Sequence, residues 1–405
     1  MSISRAYFMP RNKSLLRPNA FTVPLYEARG NYFVTTVTIG QGTTVHTPYL
    51  LLDTGESVTW VQCVGCNPCI TSNLKNFDYK KSTSFRLVSL DDDICSPKLN
   101  YKGSCGYESK YRDSDSKSVG FMGRDYFRFN NTKTGFMEVF KGLAFGCGIE
   151  NKGFEFTNKT GHTNPITGVH GLAPGKRSFI NQLDHHIKGK FSYCIPSWTE
   201  EEFTQSTMYF GDDVKLIGGA TNQVQVISMD TEVRYHLYMN GISVDGKRLS
   251  IDTSIFKLDP VSLTSGFIID SGSPYTVLAK SAYDPFHEAI LKFFRERYGW
   301  KTKPFNEDLK VCYRNKYPED EDGFPIVIFH FLFKEQAREV DMVFNKDNMF
   351  MKFNGKGFCL MVLPTDDPGP CVLGAFQQAN FNIMYDIPNN LLRFVRKRCN
   401  DDTNE

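Results

Sequence analysis

The sequence predicts a mostly β protein of two lobes related by a pseudo-twofold axis, with a cleft between them. Three observations point there. Runs of β-branched and aromatic residues, separated by Gly- and Pro-bearing turns, recur along the chain, and Phe (34) and Tyr (19) are abundant. A chain of 405 residues carries apolar material for two cores. One arrangement also occurs twice. Leu50-Leu51-Leu52 runs into Asp53-Thr54-Gly55, and Phe267-Ile268-Ile269 runs into Asp270-Ser271-Gly272. Each is followed at a similar separation by an apolar-x-Gly-apolar segment, Val169-His170-Gly171-Leu172 and Val372-Leu373-Gly374-Ala375.

Taken in order, residues 1–29, with Pro10, Pro18 and scattered basic residues, read as an arm or propeptide remnant without a core of its own. The start lacks the apolar stretch of a signal peptide. An N-terminal lobe is expected over 30–225. Tyr32-Phe33-Val34-Thr35-Thr36 alternates as a strand does, Gly40-Gln41-Gly42 turns the chain, and Tyr49 to Leu52 returns it to Asp53. Residues 63–105, rich in Ser, Asp, Asn and Lys, read as a cysteine-stapled surface insertion. Residues 107–129 form a hairpin, or flap, whose polar tip Arg112-Asp113-Ser114-Asp115-Ser116 can fold over a cleft. Strands are expected at 139–147, 166–172, 208–211 and 224–227, and helical spacing at 178–188.

The C-terminal lobe, 226–405, begins with a strand, turn and strand over 235–251, turning at Asp245-Gly246. After Asp270, residues 282–298 give the clearest helix, with Phe286, Ile290, Phe293 and Phe294 facing inward. Short strands follow at 372–375, 382–385 and 391–395; the basic cluster 393–398 reads as a solvated strand end.

The formal charge of +2 points to neither nucleic acid nor an anionic membrane, and no apolar run approaches a membrane span. Eleven cysteines are many for a reducing compartment. Cys63, Cys66 and Cys69 stand at C-x2-C-x2-C spacing, which raises a zinc or iron–sulfur site, but no fourth ligand lies at matching spacing. Structural disulfides are the better reading, with at least one thiol left over. Sequons at Asn12, Asn130 and Asn158 agree with secretion.

Two carboxylates brought close together cannot both ionise cheaply, so one keeps a proton and the pair holds a general acid beside a general base. A water between them can lose a proton to one Asp while the other hydrogen-bonds a carbonyl oxygen. That chemistry suits amide hydrolysis without metal or cofactor. Gly55 and Gly272 let each turn close, and Thr54 and Ser271 can bond across the axis.

Asp53-Thr54-Gly55 with Trp60-Val61-Gln62-Cys63, together with Ile269-Asp270-Ser271-Gly272, resembles the pepsin-like aspartic peptidases, most nearly the plant nepenthesin-type branch. The likeness runs over 31–399 and takes in Phe145-Gly146-Cys147, Phe191-Ser192-Tyr193-Cys194, Asn240-Gly241-Ile242-Ser243-Val244-Asp245-Gly246, and Val372-Leu373-Gly374-Ala375-Phe376-Gln377-Gln378. It implies a bilobal pepsin-like (acid protease) fold, catalytic Asp53 and Asp270, a long peptide-binding cleft, and a flap Tyr111 bonded to Trp60. It also implies a monomer acting on peptide or protein substrates in a secreted or vacuolar setting.

The departures from the family pattern are local. Glu56 stands where the family has a Ser whose hydroxyl bonds the catalytic carboxylate, while Ser273 is retained in the second half. An ionised Glu56 would disfavour ionisation of Asp53; a protonated one could donate as the hydroxyl does. Tyr111-Arg112 replaces the family's Tyr-Gly, and Cys371 is additional. The expectation is therefore an aspartic endopeptidase active at acid pH with a preference for apolar side chains. The alternative is a catalytically weakened homologue that binds peptides or a protein partner, for instance as an inhibitor.

Overall fold

The structure is a computed structural model describing residues 20–399 apart from 29–31, 44, 96–98, 112–114, 132–134, 155, 157–163, 198–204, 217–220, 228–233, 262–264, 301–311, 314–316, 319–322, 334–335 and 354–356. The flap tip at Arg112 and the sequons at Asn12 and Asn158 lie outside the described residues.

Strand formation around the first Asp follows from its aliphatic run. Leu50, Leu51 and Leu52 are buried on both faces, as in a sheet covered on both sides. The strand Tyr49–Asp53 pairs antiparallel with Tyr32–Thr36 and parallel with Ile166–Gly171, aligning Gly171 with Asp53. Ile166–Gly171 also pairs antiparallel with Trp60–Gln62, so the chain leaving the Asp turn comes back along the same partner. The second half repeats this. Phe267–Ile269 runs parallel to Cys371–Leu373, and Cys371–Leu373 pairs antiparallel with Thr276–Ala279. The internal repeat of the sequence is thus a repeat of strand pairing.

The fold is mostly β, and among the described residues it has a large mixed sheet of 21 strands and two smaller sheets of four and three strands. Both halves share its floor. Lys190–Cys194 pairs with Phe381–Asp386, and Asn222–Ile227 pairs with Leu391–Arg396. A disulfide, Cys194–Cys399, closes the same junction.

Four further cystine bridges, Cys63–Cys147, Cys66–Cys69, Cys95–Cys105 and Cys312–Cys359, complete the set, and Cys371 is a buried thiol whose sulfur accepts from the Ala279 amide. The C-x2-C-x2-C run is therefore divided between two bridges, one of which ties the insertion to the core strand Met137–Lys152. Each bridge restricts the unfolded chain and so favours the fold.

Three local expectations change. The stretch assigned to a coreless arm contains a strand, Ala20–Ala28, paired with Gln205–Gly211 and with Tyr32–Thr36. Phe21, Val23 and Leu25 are fully buried, with Phe21 stacked on Phe210 at 4.6 Å. Pro24 masked this period-2 pattern; a proline can sit in a strand where its missing N–H is not needed. The 178–188 segment is two single turns, Phe179–Gln182 and Asp184–Ile187, because Ser178 caps the first and Leu183 ends it. Of the basic cluster at the end of the strand Leu391–Arg396, Arg396 and Arg398 are exposed as expected, but Arg393 bonds the buried Asp386 at 2.8 Å. The helix Lys280–Tyr298 buries Phe286, Ile290 and Phe294 and stops at Gly299, whose φ of 66° suits glycine. Phe293 is only half-buried. Among the described residues no helix is long and apolar enough to cross a membrane.

Candidate active site

The two Asp turns meet at the axis between the halves. In each, the amide of the following glycine donates to the aspartate: Gly55 N–H to Asp53 Oδ1 and Gly272 N–H to Asp270 Oδ1, both at 2.8 Å. Thr54 N–H donates to Ser271 Oγ at 3.1 Å, and Ser271 N–H donates to Thr54 Oγ1 at 3.0 Å. The Ser271 hydroxyl in turn donates to Leu52 O. This reciprocal exchange ties the two turns together across the axis.

The glycines set the approach. A Cβ on Gly55 would lie 2.7 Å from Asp270 Cγ, and one on Gly272 would lie 2.4 Å from Asp53 Cγ. Any side chain there would push the opposing carboxylate away. Beneath the turns the symmetry continues: Gly171 N–H donates to Thr59 Oγ1 at 3.2 Å, and Gly374 N–H to Thr276 Oγ1 at 3.1 Å.

Electrostatically the halves part. Asp53 is 5% exposed, and burial, followed by the Asp270 and Glu56 charges, pushes its carboxyl well above the usual range against the opposing Gly55 amide. Asp270 accepts a second hydrogen bond, from the Ser273 hydroxyl at 2.9 Å. Glu56 does not supply the counterpart for Asp53, contrary to the expectation that its protonated form could. Its Oε1 accepts from Val58 N–H at 2.9 Å, and the carboxylate also accepts from Ser57 N–H and the Ser109 hydroxyl. A short side chain there would reach back to Asp53; the longer one finds backbone donors and the flap strand instead. Burial pushes the Glu56 carboxyl up, while those donors and Arg234 oppose the shift.

The flap is a true hairpin. Ser104–Lys110 pairs antiparallel with Lys117–Asn130, and Tyr111 N–H closes onto Ser116 O at 3.0 Å. Trp60 Nε1–H donates to the Tyr111 hydroxyl at 2.7 Å. Phe154 packs against both rings, with centroids 5.3 Å from Tyr111 and 5.4 Å from Trp60.

Asp53, Asp270, Glu56, Tyr111, Phe154 and Arg234 all line one cavity of about 460 Å³. The structure therefore brings the sequence-derived Asp, Glu and Tyr positions into one cleft, with Trp60 behind Tyr111. Sequence reading missed Phe154, Phe156 and Arg234, which also line it. Phe154 and Phe156 flank a glutamate in a polar stretch, and Arg234 stands just before a strand, so no local pattern marked them. Among the described residues no group of three or more His, Cys, Asp or Glu could hold a metal ion.

Known proteins resemble the chain over most of its length. The family model "Xylanase inhibitor N-terminal" matches residues 35–212, and "Xylanase inhibitor C-terminal" matches 234–396. Aspartyl protease family protein 2 of Arabidopsis thaliana is 29% identical over 397 residues, covering 95% of this chain and 75% of its own. Aspartic proteinase nepenthesin-1 of Nepenthes gracilis is 25% identical over 387 residues, covering 94% of this chain and 81% of its own. Among solved structures, edgp superposes with a TM-score of 0.75 at 18% identity, over 96% of this chain and 97% of its own. Basic 7S globulin from soybean superposes with a TM-score of 0.72 at 17% identity, over 96% and 100%. Identities this low speak to the fold alone.

Proposed function

The chain belongs to the pepsin-like aspartic peptidase family, and from the two Asp turns we propose that it is an aspartic endopeptidase. The observation that carries this reading is the reciprocal Thr54–Ser271 exchange with each glycine set against the opposite carboxylate. Asp53, which burial and two nearby carboxylates favour in its protonated form, hydrogen-bonds the scissile carbonyl. Asp270, with donors from Gly272 and Ser273, carries the charge and takes a proton from the attacking water. The water oxygen adds to the carbonyl carbon, the amide nitrogen then leaves with a proton, and the dyad returns to its starting state. Tyr111, held by Trp60, covers the bound peptide, and the aromatic wall favours apolar side chains. Activity belongs at acid pH, where Asp53 keeps its proton. Relatives that are proteases support a peptide or protein substrate, and the disulfides support a secreted or vacuolar compartment. The chain is proposed to act as a monomer.

A second reading has a specific observation behind it. Glu56 offers no hydroxyl to Asp53, and the matching family models carry an inhibitor's description. In that reading the cleft binds a peptide or protein partner and turns it over poorly or not at all. The deciding assay incubates the protein with a denatured protein substrate from acid to neutral pH, with and without a statine-type inhibitor. Inhibitor-sensitive cleavage that disappears in Asp53→Asn is the expected result. No cleavage at any pH, with wild type and Asp53→Asn alike, rules out the peptidase reading and leaves the binding one.

A further inference from the structure

One cation in the cleft has no part in the dyad chemistry. Arg234 directly precedes the strand Tyr235–Leu237, which pairs antiparallel with Phe267–Ile269 so that Tyr235 stands opposite Ile269. One residue further along that register, Arg234 comes level with Asp270. It lines the same cavity as both aspartates and is half-buried. Among the described residues it has no ion-pair partner. Its attraction to Glu56 acts through space.

The other basic residue on the cavity wall differs. Lys110 sits on the flap strand, is exposed, and pairs with Glu108 at 3.3 Å. Its charge is already matched. Much of the remaining wall is aromatic, from Tyr32, Tyr111, Phe154 and Phe156. A half-buried guanidinium beside such a surface has given up part of its water, and a carboxylate restores the lost interactions best because its two oxygens match the planar N–H fork.

We propose that Arg234 is a specificity-determining residue that binds the side-chain carboxylate of an Asp or Glu next to the scissile bond. The substrate class is then a peptide in which an acidic residue accompanies the apolar ones that fill the aromatic wall. For turnover this rests on the endopeptidase reading; for binding it does not. Glu56 competes weakly for the same cation, so neutralising it strengthens the preference.

The test separates binding from cleavage. Non-cleavable statine peptides, each carrying Glu or its neutral isostere Gln at one position stepped across both sides of the statine, are titrated at about pH 5.5, where the peptide carboxylate is ionised. Wild type is expected to prefer Glu over Gln by roughly 10-fold at one position, the scale of a charge-assisted hydrogen bond. Arg234→Leu abolishes the preference, Arg234→Lys keeps part of it, and Arg234→Glu moves it to Lys-bearing peptides. Glu56→Gln widens it. Equal binding of Glu and Gln peptides at every position in wild type, or no binding of any peptide, overturns the proposal without need of a variant. So does a preference that survives in Arg234→Leu with an unchanged circular dichroism spectrum. The matching cleavable peptides are assayed in parallel. A Glu preference in binding with no cleavage removes the endopeptidase reading and leaves Arg234 as a binding determinant; cleavage without a Glu preference does the reverse.

Discussion

The turn at Asp53 and the turn at Asp270 share a backbone and differ in how each carboxylate is solvated. Asp270 accepts from Gly272 and from the Ser273 hydroxyl. Asp53 keeps the glycine amide, but Glu56, in the place corresponding to Ser273, directs its carboxyl to Val58, Ser57 and Ser109. The Asp53 carboxyl therefore has fewer donors, deeper burial and an additional carboxylate nearby, all of which favour its protonated form. A second contrast lies behind the turns. His170, aligned with Leu52, and Leu373, aligned with Ile269, occupy equivalent places and are both fully buried. An imidazole on one side and an isobutyl group on the other give the two halves different responses to acid. Near-symmetric backbones thus place different side chains around the two turns.

The largest expected effect comes from removing either half of the dyad. On the proposed peptidase reading, Asp53→Asn and Asp270→Asn should each lower kcat/KM by about 10³-fold or more, since either loss would remove an acid–base partner. Residual activity in one variant but not the other would show that the halves are not equally required. The His170 contrast comes next. Burial lowers the His170 pKa from the ordinary 6.5 to about 3, so below pH 6.5 the unfolded chain takes up a proton that the folded chain refuses. Its contribution is complete above pH 6.5 and is lost progressively as pH falls toward 3, on the order of 3 kcal/mol by pH 4. His170→Leu, copying the second half, should reduce the drop in Tm between pH 7 and pH 4; an unchanged drop would place the acid sensitivity elsewhere.

Ser273→Ala removes the second donor to Asp270 and should lower kcat/KM roughly 10-fold, the scale of a hydrogen bond to a charged group. An equal rate would mean that this bond does not strengthen during reaction. The smallest change is Glu56→Ser, which makes the first turn like the second. Removing one anion and adding a hydroxyl donor lets Asp53 ionise more readily, so the alkaline limb of the pH profile should move to lower pH. A profile that does not move would show that Glu56 acts on the flap through Ser109 and not on Asp53.

Much of this site was legible in the order of residues. Two aliphatic runs ending in Asp-hydroxyl-Gly, and the later Gly171 and Gly374, announced both turns because strand periodicity and glycine turns are local properties. The bonding of Tyr111 to Trp60 followed from family resemblance. Other features had no such trace. Ala20–Ala28 reads as a strand only once Gln205–Gly211 lies beside it, and Cys63 finds Cys147 only when their strands pair.

The sequence by itself determined the strands that lead into the two turns, the turns themselves and the two carboxylates, because covalent neighbours dictate backbone conformation and the alternation of buried side chains. Only the tertiary structure decided that Glu56 turns toward Ser109 and that Phe154 and Arg234 enter the cleft. Those placements depend on segments far apart in the chain being packed together, and a side chain takes whichever donor, ring or charge the packing brings within reach.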